Sequence, residues 1–275
     1  MSVILHDYKE TLLKVSNVSV ALGGVPVLRD LNAEIKNVTR PGVAQGQVVG
    51  LLGPSGVGKT TLFRILSGLD KPDTGTVQVE ADGRPVECGM VGVIAQNYPL
   101  FAHRTILGNL LVAGRQARLS AAQAQKTAME LLERFGIKEH ANKYPVQLSG
   151  GQRQRVAIAQ QFMCSDHLLL MDEPFSGLDL VAEEGVCSFI REIAQTDELK
   201  TIILVTHDIR AAVEVADTLW LLGRDQDAQG KIIPGARIQK TYDLVELGLA
   251  WQKDIMKMPE CIQLLQEIRE IFPRL

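Results

Sequence analysis

Short apolar runs alternate with stretches of helical periodicity along most of this chain. Four of the runs have the length of a buried β-strand, and they cover residues 48–52, 91–95, 168–171 and 201–205. Strands that alternate with helices predict an α/β fold with a mainly parallel sheet. A polar or glycine-rich segment follows each run. Because ligands bind where the carboxyl ends of such strands meet, the pattern predicts a binding site at that edge.

Two regions depart from this pattern. Residues 14–35 alternate apolar and polar positions on both sides of Gly23 and Gly24, which predicts antiparallel strands joined by a turn. Residues 37–47 contain one proline and two glycines and are predicted to form a loop.

Helices are predicted at about residues 98–163. Ser120 and Gln123 have the spacing of a capping box, so a helix is expected to begin there and to end at Gly136. A second helix is expected at about residues 151–163.

The domain organisation follows from these elements. We predict one domain at residues 1–240, with an antiparallel β subdomain at its N-terminal side and the helices as an inserted subdomain. Apolar residues recur at helical spacing after Pro259, which predicts a helical tail at residues 241–275 that packs on the core.

Composition and charge narrow the possible functions. The chain has 275 residues and a formal net charge of −3, which does not favour a nucleic-acid partner. No apolar run reaches the ~18 residues that cross a bilayer, and the N-terminal residues lack the layout of a signal peptide. The four cysteines are scattered, as expected for thiols in a reducing compartment. We therefore expect a cytoplasmic protein that does not itself span the membrane.

The strongest motif follows the first apolar run. Residues 53–60 read GPSGVGKT and fit the pattern G-x-x-x-x-G-K-[ST] between a strand and a helix. Glycines let backbone N–H groups turn inward towards phosphate oxygens, and the following helix adds the positive end of its dipole. Lys59 is placed to reach the β- and γ-phosphates, and the hydroxyl of Thr60 to ligate Mg²⁺.

Two carboxylates follow the third apolar run, because residues 168–173 read LLLMDE. After a phosphate-binding loop, a carboxylate at the position of Asp172 is expected to hold magnesium through water. Glu173 is placed to polarise the attacking water and to act as a general base.

A second glycine motif precedes a predicted helix. Residues 148–152 read LSGGQ, and a serine with two glycines at a helix N-terminus forms either another anion site or a simple capped junction. One nucleotide needs only one triphosphate cradle within a chain. A second cradle is therefore expected to close on a nucleotide that another subunit holds.

Together these motifs resemble those of the ABC ATPase family over roughly residues 14–240. GPSGVGKT is similar to its Walker A motif, LLLMDE to its Walker B motif with the catalytic glutamate, and LSGGQ to its signature. Residues 176–179 (SGLD) resemble its D-loop, Gln96 the Q-loop glutamine and His207 the switch histidine. The resemblance implies a P-loop NTPase core and two cassettes packed head to tail, with each ATP between one P-loop and the opposing LSGGQ.

The resemblance also implies the roles of individual residues. The side chains expected to act in catalysis are Lys59, Gln96, Glu173 and His207. The expected magnesium ligands are Thr60, Gln96 and Asp172. The residues expected to bind ATP, its magnesium ion or the dimer interface beside it are Gly53, Pro54, Ser55, Gly56, Val57, Gly58, Lys59, Thr60, Thr61, Gln96, Ser149, Gly150, Gly151, Gln152, Asp172, Asp179 and His207.

One position departs from the family pattern. The family usually has an adenine-stacking aromatic residue shortly before the first glycine turn, and here that place falls at Leu22. A leucine packs against a base without π-stacking, so the affinity for nucleotide and the preference for adenine over guanine are both affected.

The resemblance implies transport driven by ATP, with a separate permease in the membrane. Tyr98, Leu100 and Phe101 either line the groove for the coupling helix of that permease or belong to the core of the helical subdomain. The cassette and its ending YDLVELGLAW are similar to ATPases of nitrate, sulfonate and taurine importers. We therefore expect a homodimer on the inner face of the cell membrane, which acts with a permease and, through it, a periplasmic solute-binding protein.

Two alternatives remain. A soluble ABC ATPase of DNA repair, chromosome organisation or translation usually has two cassettes, a long coiled-coil insertion or a zinc module, and this sequence shows none of these. The other alternative is the ATPase of a lipid-trafficking or export system.

Overall fold

The computed structural model describes residues 6–40, 46–79, 83–164, 168–194, 201–252 and 254–275. The strands within these ranges are β1 (Asp7–Leu22), β2 (Val25–Thr39), β3 (Gln47–Leu52), β4 (Thr74–Val79), β5 (Arg84–Pro85), β6 (Gly92–Ile94), β7 (Leu168–Asp172), β8 (Thr201–Thr206), β9 (Thr218–Gln226) and β10 (Ile232–Asp243). They form one sheet of ten strands in the order β5-β4-β1-β2-β10-β9-β3-β8-β7-β6.

The helices follow the strands in alternation over most of the chain. The α-helices are α1 (Lys59–Leu66), α2 (Ile106–Gln116), α3 (Ala121–Arg134), α4 (Gly150–Phe162), α5 (Leu180–Ala194), α6 (Ile209–Val215) and α7 (Pro259–Ile271). Short 3₁₀ helices occur at Lys138–His140, Pro145–Gln147, Ile255–Lys257 and Phe272–Arg274.

The four apolar runs form the parallel half of the sheet. β6, β7, β8 and β3 lie side by side in parallel, and β9 adds a further parallel strand next to β3. Along β8, Ile202 and Leu204 enter one apolar cluster while Ile203 and Val205 enter another, as the two-residue period of a strand requires. Both faces of this half are therefore buried, which explains why its strands are apolar throughout.

The N-terminal half of the sheet is antiparallel, as the alternating pattern predicts. β1 pairs antiparallel with β2 and β4. β2 pairs in parallel with β10 at one position, and β10 pairs antiparallel with β9, which joins this half to the parallel strands. Gly23 and Gly24 connect β1 to β2 with φ values of 58° and 80°, which a two-residue hairpin turn of this kind requires.

The loop predicted at residues 37–47 is shorter than expected. Residues 37–39 are buried and belong to β2, and Gln47 already belongs to β3. Pro41 and Gly42, on which the prediction rested, lie outside the described residues.

The helical subdomain occupies the predicted segment, where α2, α3 and α4 contact one another. Ser120 and Gln123 form the predicted capping box at the start of α3. Gly136 follows the end of α3 with a φ of 65°. α4 begins at Gly150, one residue before the predicted start.

The boundary predicted after residue 240 falls inside β10, which continues to Asp243 because it pairs with β9 as far as Thr218. The helical tail beyond it is α7, whose buried residues are Cys261, Leu264 and Ile268 and which contacts α6. In the described part of the chain, every helix is too short or too polar to span a bilayer.

Candidate functional site

The glycine loop lies between β3 and α1, at the carboxyl edge of the sheet. Gly56 and Gly58 have φ values of 76° and 117°, which side chains rarely allow, and the chain therefore turns tightly before α1. Gly53 has no room for a side chain, since an added Cβ would lie 2.8 Å from the carbonyl oxygen of Leu222. The loop leads directly to the N-terminus of α1, where an anion is favoured.

Lys59 folds back over this loop. Its ammonium group donates to the carbonyl oxygens of Gly53 at 2.7 Å and Pro54 at 3.2 Å, and its Nζ lies 3.9 Å from Oε1 of Glu173. Burial lowers the pKa of Lys59, while the carboxylates of Glu173 and Asp172 act in the opposite direction. The ammonium group is thus held over the loop, where a phosphate oxygen can replace either carbonyl.

The remaining predicted residues of the loop differ in exposure. Val57 is buried, Ser55 and Thr60 are exposed, and Thr61 is half-buried. Thr60 and Thr61 belong to the first turn of α1, where backbone N–H groups have no partner within the helix. These groups and the hydroxyl of Thr60 are therefore available to an anion and its cation.

Glu173, Thr206 and His207 form a hydrogen-bonded cluster at the ends of β7 and β8. The hydroxyl of Thr206 donates to Oε2 of Glu173 at 3.1 Å, and Nδ1 of His207 lies 2.9 Å from both carboxylate oxygens. Glu173 has a φ of 47°, and such strained conformations cluster at functional sites. The sequence predicts Glu173 and His207 here. It signals Thr206 only through its place at the end of an apolar run.

Asp172 is the last residue of β7 and is half-buried. Burial raises the pKa of Asp172, the neighbouring carboxylate of Glu173 raises it further, and Lys59 lowers it. Two carboxylates therefore lie beside one ammonium group. This set of oxygen donors suits a hard divalent cation.

Gln96 and Asp179 make their hydrogen bonds elsewhere. Gln96 follows β6, and its Nε2 donates to the hydroxyl of Ser176 at 3.0 Å. Asp179 precedes α5, where its Oδ1 accepts from the N–H of Ala182 at 2.9 Å, as an N-cap residue does. Among the described residues, no hydrogen bond or ion pair joins Gln96 or Asp179 to the cluster around Glu173.

The LSGGQ motif forms the N-terminus of α4. Ser149 is the N-cap residue, and its reciprocal hydrogen bonds with Gln152 complete a capping box. Nε2 of Gln152 also lies 2.9 Å from Nε2 of His140, a contact that the sequence does not predict. Gly150 and Gly151 are exposed, and a Cβ added to either would meet nothing within 4 Å. This helix N-terminus is therefore open to an approaching anion.

Leu22 lies on the hairpin beside the glycine loop. It ends β1 opposite Val25, and 60% of its surface is exposed. The hairpin approaches the loop through Val27, whose Cγ1 would lie 3.2 Å from a Cβ added to Gly58. An exposed leucine thus occupies the part of the fold where the family resemblance places an aromatic residue.

Comparison with known proteins settles the family. The ABC transporter family matches residues 37–176 of the chain. A probable sulfate/thiosulfate import ATP-binding protein CysA of Chlorella vulgaris is 37% identical over 232 residues, which are 83% of this chain and 92% of that protein. The chain belongs to the ABC transporter family. The relatives are named as import ATP-binding proteins, and the predicted enzyme class, a transport-coupled ATP hydrolase, is confirmed at the level of the family.

Other relatives differ in length. The sulfate/thiosulfate import ATP-binding protein CysA of Mesostigma viride is 35% identical over 83% of this chain, and the chain spans 63% of the length of that protein. The structure of cbiO1 from Clostridium perfringens, part of the ABC transporter complex cbiONQ, matches this ABC fold with a TM-score of 0.73. That match has 24% identity and covers 97% of each chain, and it confirms the predicted fold.

Proposed function

We propose that this chain binds and hydrolyses ATP to drive an ABC transporter that imports a small solute. The observation that carries the proposal is the cluster in which Lys59 and His207 both contact the carboxylate of Glu173, beside a phosphate-binding loop. Membership of the ABC transporter family supports it, as do the names of the import ATP-binding proteins that the chain resembles.

In this proposal Glu173 is the general base. It accepts a proton from the water that attacks the γ-phosphorus, and the bond between that phosphorus and the ADP oxygen breaks. Lys59 stabilises the charge on the transferred phosphoryl group. The side chain of His207 is 55% exposed, so it is placed to turn from Glu173 towards the γ-phosphate and donate a hydrogen bond.

Mg²⁺ would be held by Thr60 and Asp172 together with phosphate oxygens. The hydroxyl at the start of α1 and the half-buried carboxylate are hard oxygen ligands, which this ion prefers. Such an ion would neutralise part of the phosphate charge. Gln96, the third expected ligand, donates to Ser176 in this conformation and would have to turn to reach the ion.

A second copy of the chain is proposed to complete the site. Gly150 and Gly151 leave the N-terminus of α4 accessible, and the positive end of that helix attracts the γ-phosphate of a nucleotide held by the partner. Leu180 and Val181 are 66% and 80% exposed after the D-loop, as expected of apolar residues that a partner covers. Asp179 lies beside them and would order this interface.

The proposed permease contact lies between the helical subdomain and the core. Tyr98 and Leu100 pack against the larger apolar cluster, and the hydroxyl of Tyr98 donates to the carbonyl of Pro174 at 3.2 Å. Phe101, by contrast, is 43% exposed and lines a cavity of about 510 Å³ with residues of α2 such as Val112. We propose that this cavity receives the coupling helix of a permease, with Phe101 as the main contact.

The transported solute is proposed to be a small oxyanion. The curated relatives are named for sulfate and thiosulfate, and the sequence resembles nitrate, sulfonate and taurine importers. These solutes share a compact anionic group that a separate permease and a periplasmic solute-binding protein would select. The chain itself would lie on the cytoplasmic side of the membrane, bound to that permease.

Nucleotide binding is tested by calorimetric titration of the chain with MgATP. The Lys59→Ala variant should bind at least about 10-fold more weakly, because the charge-assisted contact to the phosphates is lost. Lys126, which is exposed on α3 far along the chain from the loop, provides the matched control, and Lys126→Ala should bind as the unchanged chain does. Equal affinity of the Lys59→Ala variant and the unchanged chain would contradict the assignment of the loop.

The transporter partner is tested by placing a photo-reactive amino acid at Phe101 in cells and identifying the cross-linked protein by mass spectrometry. A multi-spanning permease should be captured. The same probe at Ile262, which is 55% exposed on α7, should not capture it. Active ATPase with no membrane protein cross-linked at residue 101 would favour a soluble ABC role. Capture of an exporter or lipid transporter would favour the other alternative.

A further inference from the structure

Arg224 joins the glycine loop to the end of the described chain. It lies on β9, next to β3, and its Nη2 donates to the carbonyl oxygen of Gly56 at 2.9 Å. Its backbone N–H donates to the carbonyl oxygen of Leu275 at 2.8 Å. A single residue thus contacts the phosphate-binding loop through its side chain and the last residues of the chain through its backbone.

The close approach of residues 272–275 to β9 depends on Gly223. A Cβ added there would lie 2.8 Å from Cδ2 and 2.9 Å from Cα of Leu275. Pro54, Ser55, Arg224 and Leu275 line a shared cavity of about 130 Å³ between the glycine loop and this segment. The segment therefore packs directly beside the loop on the side of Arg224.

Arg224 differs from the other arginines nearby. Arg29 and Arg237 both pair with the carboxylate of Asp225, which draws both guanidinium groups away from the glycine loop. Among the described residues, Arg224 forms no ion pair, so its guanidinium charge is directed at the glycine loop.

A phosphate-binding loop points its N–H groups inward, so its carbonyl groups point outward and need donors. Lys59 supplies the donor for two of them, but a bound phosphate competes for the same ammonium group. Gly56 has a φ of 76° and no side chain, so little besides the hydrogen bond from Arg224 restrains its peptide group.

We propose that Arg224 is a positioning residue that presets the glycine loop for nucleotide, and that residues 272–275 fix Arg224 in place. α7 leads into this segment and is tied to β10 through Glu267, which accepts from the hydroxyl of Tyr242 at 2.9 Å and pairs with Lys240. Contacts of α7 would therefore influence the affinity for nucleotide. The inference rests on the proposed binding of nucleotide at the loop.

The test is calorimetric titration of the full chain with MgATP and MgADP, with phosphate release measured on the same preparations. Arg224→Ala should weaken binding of both nucleotides about 5- to 10-fold and raise KM for ATP equally, because one charge-assisted hydrogen bond is lost before binding. The kcat should stay within about twofold, since Arg224 does not contact the reacting groups. Arg224→Lys should recover most of the affinity, because the ammonium group still donates to Gly56.

Two controls separate this role from a general loss of structure. Arg237→Ala removes a neighbouring arginine that pairs with Asp225 and should leave the affinity unchanged. A chain that ends at Ile271 loses the partly buried Phe272 and Leu275, so its Tm should fall. Measured well below that Tm, it should bind nucleotide about 2- to 5-fold more weakly. An unchanged affinity in that shortened chain would overturn the role of residues 272–275.

The role of Arg224 itself would be overturned by unchanged affinity in Arg224→Ala, or by a fall in kcat at unchanged KM. If the unchanged chain binds no nucleotide, the proposed function fails first. If it binds and the Arg224→Ala chain binds equally well, only the present inference fails.

Discussion

The glycine loop and the LSGGQ motif both present backbone N–H groups at the start of a helix, yet their surroundings differ. Around the loop, Glu173 and Thr206 lie at the ends of β7 and β8, and Lys59 begins α1. Glu173 lies within ion-pair distance of Lys59 and accepts a hydrogen bond from Thr206. Around LSGGQ the contacts stay within the helical subdomain, and the main one beyond the capping box joins Gln152 to His140.

This difference favours a catalytic role for the site around the glycine loop and a phosphate-binding role for the LSGGQ motif. The end of β7 and the start of α1 bring a carboxylate and an ammonium group together. Proton transfer needs the first and phosphate stabilisation the second. The LSGGQ motif has N–H donors and an open approach, and the titratable group next to it, His140, is engaged with Gln152. It is therefore suited to bind a phosphate whose chemistry is carried out by residues of another copy.

The largest effect is expected from Glu173→Gln. An amide still bonds to Thr206 and His207 but accepts no proton, so phosphate release should fall about 10³-fold while MgATP binding is kept. Stalled hydrolysis should also accumulate an ATP-bound dimer, which light scattering detects. Glu184→Gln, at an exposed position of α5, is the control and should behave as the unchanged chain. Normal turnover in the Glu173→Gln chain would contradict the assignment of catalysis to Glu173 beside the glycine loop.

The phosphate-binding role of the LSGGQ motif is tested by the Gly151→Asp variant. The site has space for the side chain, so the chain should fold, but a carboxylate at the start of α4 repels phosphate. Phosphate release should fall about 100-fold, as when one oxyanion donor is removed, while binding of MgATP to the isolated chain should stay within about twofold. Weaker nucleotide binding in the isolated chain would mean that both motifs serve one site within one chain.

Mixing two inactive variants tests whether each site is shared between two copies of the chain. In a dimer of one Gly151→Asp chain and one Lys59→Ala chain, one of the two composite sites keeps both intact halves. An equal mixture of the two inactive proteins should therefore regain about a quarter of the normal rate, since about half of the dimers are mixed and each has one working site. A mixture that stays inactive would contradict sharing of sites between copies.

The sequence predicts the surroundings of the glycine loop better than those of the LSGGQ motif, and the reason is physical. Residues 53–60 and 168–173 lie next to buried strands, so local pattern and the geometry of a parallel sheet suffice to bring them to one edge. The contact of His140 with Gln152 depends on how a 3₁₀ helix packs against α4, and that of Arg224 with Gly56 joins residues 168 positions apart. No local pattern predicts such pairs.

The sequence pattern likewise does not predict how individual apolar residues pack. Tyr98, Leu100 and Phe101 are similar in sequence terms, and both a core role and a docking role are compatible with the pattern. Tertiary packing separates them, because Tyr98 and Leu100 are partly buried against the core and Phe101 stays exposed. Likewise, the turn residues of segment 37–47 favour a loop, but pairing with neighbouring strands extends β2 to Thr39.

A smaller effect is expected from His140→Phe. Oε1 of Gln152 accepts from the N–H of Ser149, so its amide nitrogen is the donor to His140, and loss of that acceptor should loosen the start of α4. Phosphate release should fall about 5-fold with little change in MgATP binding by the isolated chain. His140→Gln keeps an acceptor and should recover part of the rate. His103→Phe, at an exposed histidine beside Phe101, is the control.

The smallest effect is expected at Leu22, where the site around the glycine loop lacks an aromatic side chain. Leu22→Trp places an aromatic ring on the exposed hairpin beside the glycine loop, and stacking on adenine should tighten binding of MgATP and MgADP about 3-fold. The gain should be equal for both nucleotides, because the base and not the γ-phosphate makes the contact. Ile262→Trp adds the same ring on α7 and should change nothing. If Leu22→Trp left the affinity unchanged or lowered it, the adenine would lie elsewhere, and only the phosphates would be assigned to this half of the site.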